Sequence, residues 1–118
     1  MDHPVVSAVR KFVDSEVCPV AAALEHDDAY PHDLVARMRE LGLFGSLVPA
    51  AYGGLGLSVA TYARVIEELC RGWMSLAGVI NSHTMAALIV LTSWVILAGS
   101  AKTKPILLMS LCLEPLGV

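Results

Sequence analysis

The sequence predicts an all-α fold, and three observations carry that expectation. Apolar residues recur at three- and four-residue steps in successive segments, as one face of a helix requires. No stretch shows the strict apolar–polar alternation of a half-buried strand. Gly and Pro fall where these segments should end. Together they point to an antiparallel helical bundle or part of one.

The first helix is expected from Pro4 to about Glu25. Val6, Val9, Val13, Val17, Val20 and Leu24 form its stripe, and Arg10, Lys11, Asp14 and Glu25 its wet face. Pro19 removes one backbone hydrogen bond and crowds the preceding turn, so a kink or break is expected near 16–18. After the polar turn at 26–30, Pro31 suits a first helical position. Leu34, Val35, Met38 and Leu41 make the apolar face of this second helix, which Gly42 should terminate in a left-handed conformation. Ser58 is the N-cap expected for a third helix. Its inner face is read as Val59, Tyr62, Ile66 and Leu69, with Arg64, Glu67, Glu68 and Arg71 outside and Gly72 as its stop. A fourth, apolar helix is expected from about Ser75 to Leu91.

The connector at 41–57 holds five of the nine glycines and Pro49, with apolar residues between them. A flexible linker would be rich in Ser and polar residues, so this one should be an ordered, packed turn.

The chain has 118 residues, a net charge of −3 and a 56% hydrophobic composition, above the roughly 45–50% apolar usage of ordinary soluble domains. No basic excess points to nucleic acid. The charge is uneven: residues 1–71 carry six Lys/Arg and ten Asp/Glu, whereas 72–118 carry only Lys102, Lys104 and Glu114. Cys18, Cys70 and Cys112 lie far apart with no His at ligand spacing, which suggests reduced thiols in a cytoplasmic protein and no metal site. The opening residues 1–4 lack the basic and apolar regions of a signal peptide. Residues 85–101 form an uncharged stretch of 17, near the lower limit of a membrane span, with Asn81, Ser82 and His83 ahead of it.

The order of these pieces resembles the N-terminal helical region of the FAD-dependent acyl-CoA dehydrogenases. The residues that carry the resemblance begin with Val9-Arg10, Phe12, Val17, Pro19 and Ala21, then Asp27, Pro31 and Leu34. They continue with Leu41-Gly42-Leu43, Gly45, Pro49, Tyr52-Gly53-Gly54, Gly56, Glu67-Glu68, Arg71, Ser75 and His83. The resemblance spans about residues 5–90 and divides the chain into an acyl-CoA dehydrogenase N-terminal helical domain at 1–90 and a non-matching apolar tail at 91–118.

That resemblance implies α,β-dehydrogenation of an acyl-CoA thioester in fatty acid and lipid metabolism, with FAD as cofactor and an electron acceptor as partner. A carboxylate would remove the α-proton while the β-hydrogen leaves as hydride to the flavin. In the family the base comes from a C-terminal helical domain and most flavin contacts from a central β domain, so no catalytic residue is assigned here. The family's Gly-Thr-acidic-Gln-Lys segment has no match in 91–109. Leu113-Glu114-Pro115-Leu116-Gly117 resembles the Glu-Pro-x-x-Gly core of the flavin motif, with Leu113 where Thr or Ser is usual. Glu114 is therefore the candidate cofactor-binding position, in a remnant altered by a deletion or a reading-frame change. On this reading the chain is a fragment, inactive alone.

Local features also carry plainer readings. Glu67 and Glu68 project about 100° apart on a helix and suit pairing with Arg64 and Arg71 better than acid–base work. His83 on an apolar helix reads as a hydrogen-bonded packing residue. Tyr52-Gly53-Gly54-Leu55-Gly56 lacks the following Lys-Ser/Thr and the preceding strand of a phosphate loop. The cysteines read as buried small hydrophobes, and Met74, Met85 and Met109 as core filler. Two alternatives stay open: a non-catalytic interaction module whose apolar faces bind a partner or self-associate, and a small single-span membrane protein using about 76–98.

Overall fold

Valines at 6, 9, 13 and 17 point to one side of the first helical segment, and all four are buried together with Phe12. This stripe begins the core of a computed structural model that describes residues 3–98. α1 spans Pro4–Phe12; His3 caps it, its Nδ1 accepting from the Val5 amide at 3.3 Å. The chain then widens into a π-helical turn at Val13–Val17, closed by the Cys18 amide on the Val13 carbonyl at 2.9 Å. The expected break is present but starts earlier than 16–18. Pro19 would press on the carbonyl four residues back, at Ser15, and the wider turn relieves that while keeping Val13 and Val17 inward. Val20 does not extend the stripe and is exposed.

α2 is short, Ala21–His26, and turns at Asp28, whose φ of 49° is left-handed. α3 spans His32–Glu40 with Leu34, Val35 and Met38 buried; Pro31 is its cap, one position ahead of where the sequence placed it. Gly42 ends α3 at φ 75°, as expected.

The connector is ordered by its own backbone. It contains two short 3-10 turns, Leu43–Gly45 and Ala50–Tyr52. Its second half then folds back on its first. The amides of Leu55, Gly56 and Leu57 donate to the carbonyls of Gly45, Val48 and Ser46 at 2.9, 2.9 and 2.8 Å. Gly54 is where the two strands of this loop touch: a Cβ there would sit 2.1 Å from the Val48 carbonyl oxygen.

Ser58 caps α4, Val59–Gly72, by accepting the Thr61 amide at 3.1 Å. Tyr62, Val65 and Leu69 face the core, with Ile66 packed against it. Val59 belongs to no inner face: it is 74% exposed, because the first turn of α4 precedes its contact with α1. One extended residue, Trp73, leads into α5, Met74–Ala98. α5 runs seven residues past the expected end at Leu91, since no Gly or Pro interrupts 92–98. It buries Leu76, Ala77, Ile80, Thr84 and Ala87. Met74 and Met85 lie on its opposite side and are exposed, contrary to their reading as core filler.

Among the described residues every regular element is helical, and the all-α expectation holds. Met109, Cys112 and Glu114 lie outside the described residues.

Two glycine substitutions separate close packing from backbone entropy. Gly54→Ala should lower the urea midpoint, costing about 1–3 kcal/mol through overpacking on Val48. Gly78→Ala, in α5 with nothing within 4 Å of the added carbon, should raise the midpoint, adding about 0.5–1 kcal/mol of stability.

Candidate functional site

Three places hold the polar residues singled out from the sequence. The first is the seam between α1 and α4. Glu68 is nearly buried there, although the sequence placed it on the wet face, because Leu69 beside it points inward and turns Glu68 toward α1. Arg10 reaches it from α1 with Nε and Nη2 each 2.8 Å from Oε1, and Arg71 from the next turn with Nε 3.0 Å from Oε2. Arg71 also holds Asp14 of the π-helical turn at 2.8 Å. The Arg10 hydrogen bond is the main cause holding the Glu68 carboxyl below the usual carboxylate range, with Arg71 adding to it against the opposing effect of burial. Glu67 turns away and pairs with Arg64 at 3.6 Å. Both glutamates are thus arginine-paired, and neither is placed as a base.

The second place lies where α5 crosses the connector. His83 meets Phe44 edge-to-face with ring centroids 5.0 Å apart. It is the packing residue expected, but the hydrogen bond is missing: Nε2 is buried with no partner among the described residues. Desolvation accordingly lowers its pKa from the ordinary imidazole value. Beside it, Tyr62 of α4 donates to Asn81 Oδ1 at 2.8 Å, and burial raises the phenol's pKa. Thr84 Oγ1 is buried close by, near enough to the Tyr62 hydroxyl to offset part of that rise, yet without a well-formed hydrogen bond among the described residues. Asn81 and Tyr62 are contacts the sequence reading missed; their sole signal was a lone amide in an apolar segment.

The third is the connector itself. Its amides at 54–57 are spent on its own carbonyls, the Gly54 amide on Pro49 at 3.3 Å, and the space beside Gly54 is filled by Val48. From Tyr52 to Leu57 every amide is spent in this way, so that half of the connector offers no row of N–H groups to a flavin pyrophosphate or a nucleotide phosphate. This half of the connector therefore does not fit a flavin pyrophosphate, and Glu114 lies outside the described residues.

The thiols of Cys18 and Cys70 are exposed, not buried. Each follows an inward residue, Val17 and Leu69, and is rotated out by one helical step. Among the described residues no group of three or more His, Cys, Asp or Glu could hold a metal ion. α5 is the one described helix long and apolar enough to cross a membrane, over Met74–Ile96. Its outer half leaves Ile89, Val95 and Ile96 exposed.

Comparisons with known proteins bear on this arrangement. Residues 3–112 match the family described as acyl-CoA dehydrogenase, N-terminal domain. The chain is similar to benzylmalonyl-CoA dehydrogenase of Aromatoleum aromaticum, 37% identical over 75 residues, which cover 64% of this chain and 20% of that protein. An acyl-CoA dehydrogenase of Bacillus subtilis is 36% identical over 76 residues, 64% of this chain and 20% of its own length. The mitochondrial short-chain specific acyl-CoA dehydrogenase of Rattus norvegicus is 40% identical over 73 residues, 62% of this chain and 18% of its own. The matched part is thus about a fifth of each relative.

Two of the perturbed groups, Glu68 and His83, bear on the acid limb of stability. Glu68 ionises more readily folded than unfolded, so its contribution is complete above the ordinary carboxylate value and is lost as pH falls through its lowered one. His83 also resists protonation when folded, so stability first drops as pH falls through the ordinary imidazole range. In urea titrations across pH, Glu68→Gln should cost about 1–2 kcal/mol at neutral pH and flatten the lower step. His83→Phe should flatten only the upper one.

Proposed function

The chain belongs to the acyl-CoA dehydrogenase family through its N-terminal domain, and from that premise we propose that it supplies the helical framework of an enzyme for α,β-dehydrogenation of acyl-CoA thioesters. The framework does no chemistry itself. FAD, the catalytic carboxylate and the contacts to an electron acceptor belong, on this reading, to a longer polypeptide of the kind its relatives form. Glu114 keeps its proposed place in the remnant of a flavin-contacting strand.

The observation that carries the proposal is the connector. Its amides at 52–57 are bonded to its own carbonyls and Gly54 is packed on Val48, while in the α1–α4 seam Glu68 is clamped by Arg10 and Arg71. What such a segment offers is shape. The exposed Ile89, Val95 and Ile96 of α5 support the same reading, since an apolar surface of this kind suits burial against further protein. Acyl specificity is set elsewhere. The segment is 37% identical to a relative named for benzylmalonyl-CoA, 35% to one named for (2S)-methylsuccinyl-CoA and 40% to one named for short-chain substrates, so the likeness favours none of these specificities.

The purified 118-residue chain should give no acyl-CoA-dependent reduction of an artificial electron acceptor, with or without added FAD. Turnover with any straight-chain acyl-CoA above the protein-free rate would overturn the proposal.

A further inference from the structure

Between the α2–α3 turn and the start of α5 lies a cavity of about 250 Å3 that neither the core nor the family framework explains. Two aromatic side chains, Tyr30 and Trp73, share its lining with two carboxylate residues, Glu25 and Asp28, and with apolar Leu24 and Pro31. Neither Lys nor Arg lines it.

The walls are held in place. The Trp73 indole N–H donates to Glu25 Oε2, so the ring and the carboxylate position each other. The turn is set by the Ala29 amide on the Leu24 carbonyl at 3.0 Å and by the left-handed backbone of Asp28. Tyr30 is braced by His32, edge-to-face at 4.6 Å, yet stays 56% exposed toward solvent.

We propose that this cavity binds a small free organic cation of the quaternary alkylammonium class. The negative faces of aromatic rings attract such a cation, and a weakly hydrated one needs no hydrogen-bond donor or acceptor of its own. Glu25 and Asp28 supply the neutralising charge, and the same two carboxylates repel phosphate and carboxylate ligands. The cleft is open to solvent, and its volume, below the roughly 300–1,000 Å3 of sites for drug-sized molecules, matches a head-group-sized ion. Nothing in this assignment depends on the dehydrogenase reading.

Choline is the probe, titrated into the full chain. The Trp73 indole N–H resonance, identified by its loss in Trp73→Phe, should shift saturably while that of Trp94 stays in place. The carbon isostere of choline, in which a quaternary carbon replaces the nitrogen, should produce no saturable shift. Tyr30→Ala and Asp28→Asn should each weaken choline binding on the order of threefold, the loss of one such contact at a partly exposed site. Equal response to the neutral isostere, absence of saturation, or full affinity in both variants would overturn the assignment. Should Tyr30→Ala lose its dispersed spectrum, Asp28→Asn decides alone, because Asn tolerates the left-handed backbone there.

Discussion

The close seat of α4 on α1 and the π-helical turn is the constraint on which the rest of the molecule depends. At Gly72 a Cβ would lie 2.6 Å from Val13 Cγ1 and 3.1 Å from Val17 Cγ1, so the last turn of α4 approaches at a distance that a side chain would forbid. Val9, Val13, Val17, Val65 and Leu69 are fully buried in this seam. Glu68, shared by Arg10 and Arg71, closes its polar edge. The π-helical turn makes the geometry possible by keeping two valines inward across the proline-induced break. Because α4 ends here, α5 is launched after a single extended residue and can run back beneath the connector, where Phe44 meets His83.

The connector is the second fixed body. Its glycines form a loop that satisfies its own backbone, and an ordered segment of this kind transmits position without binding anything. Its likeness to a phosphate loop is compositional. A loop that cradles an anion turns its N–H groups outward, and this one turns them inward.

Much of the framework was legible in the sequence because it rests on local rules. The three- and four-residue spacing of Val6, Val9, Val13 and Val17 gave the buried stripe, Gly42 the left-handed stop and Ser58 the cap. What escaped depends on neighbours in space. Glu68 is drawn into the seam by Arg10, a partner 58 positions away that α4 alone does not reveal. Cys18, Cys70, Met74 and Met85 were misassigned because residue type was read in place of direction. In α5, apolar all round, periodicity carries no information about which side faces in. The candidate cation cavity was invisible for the same reason: Tyr30 and Trp73 are 43 positions apart and meet only through the fold.

We read the connector as a structural body whose second half satisfies its own backbone and takes no cofactor. Hydrogen exchange at the amides of Leu55, Gly56 and Leu57, measured with and without FAD, tests this most directly. The account predicts protection comparable to that of α4 and no change when FAD is added. Solvent-like exchange at these amides, or protection that appears only with FAD, would contradict it.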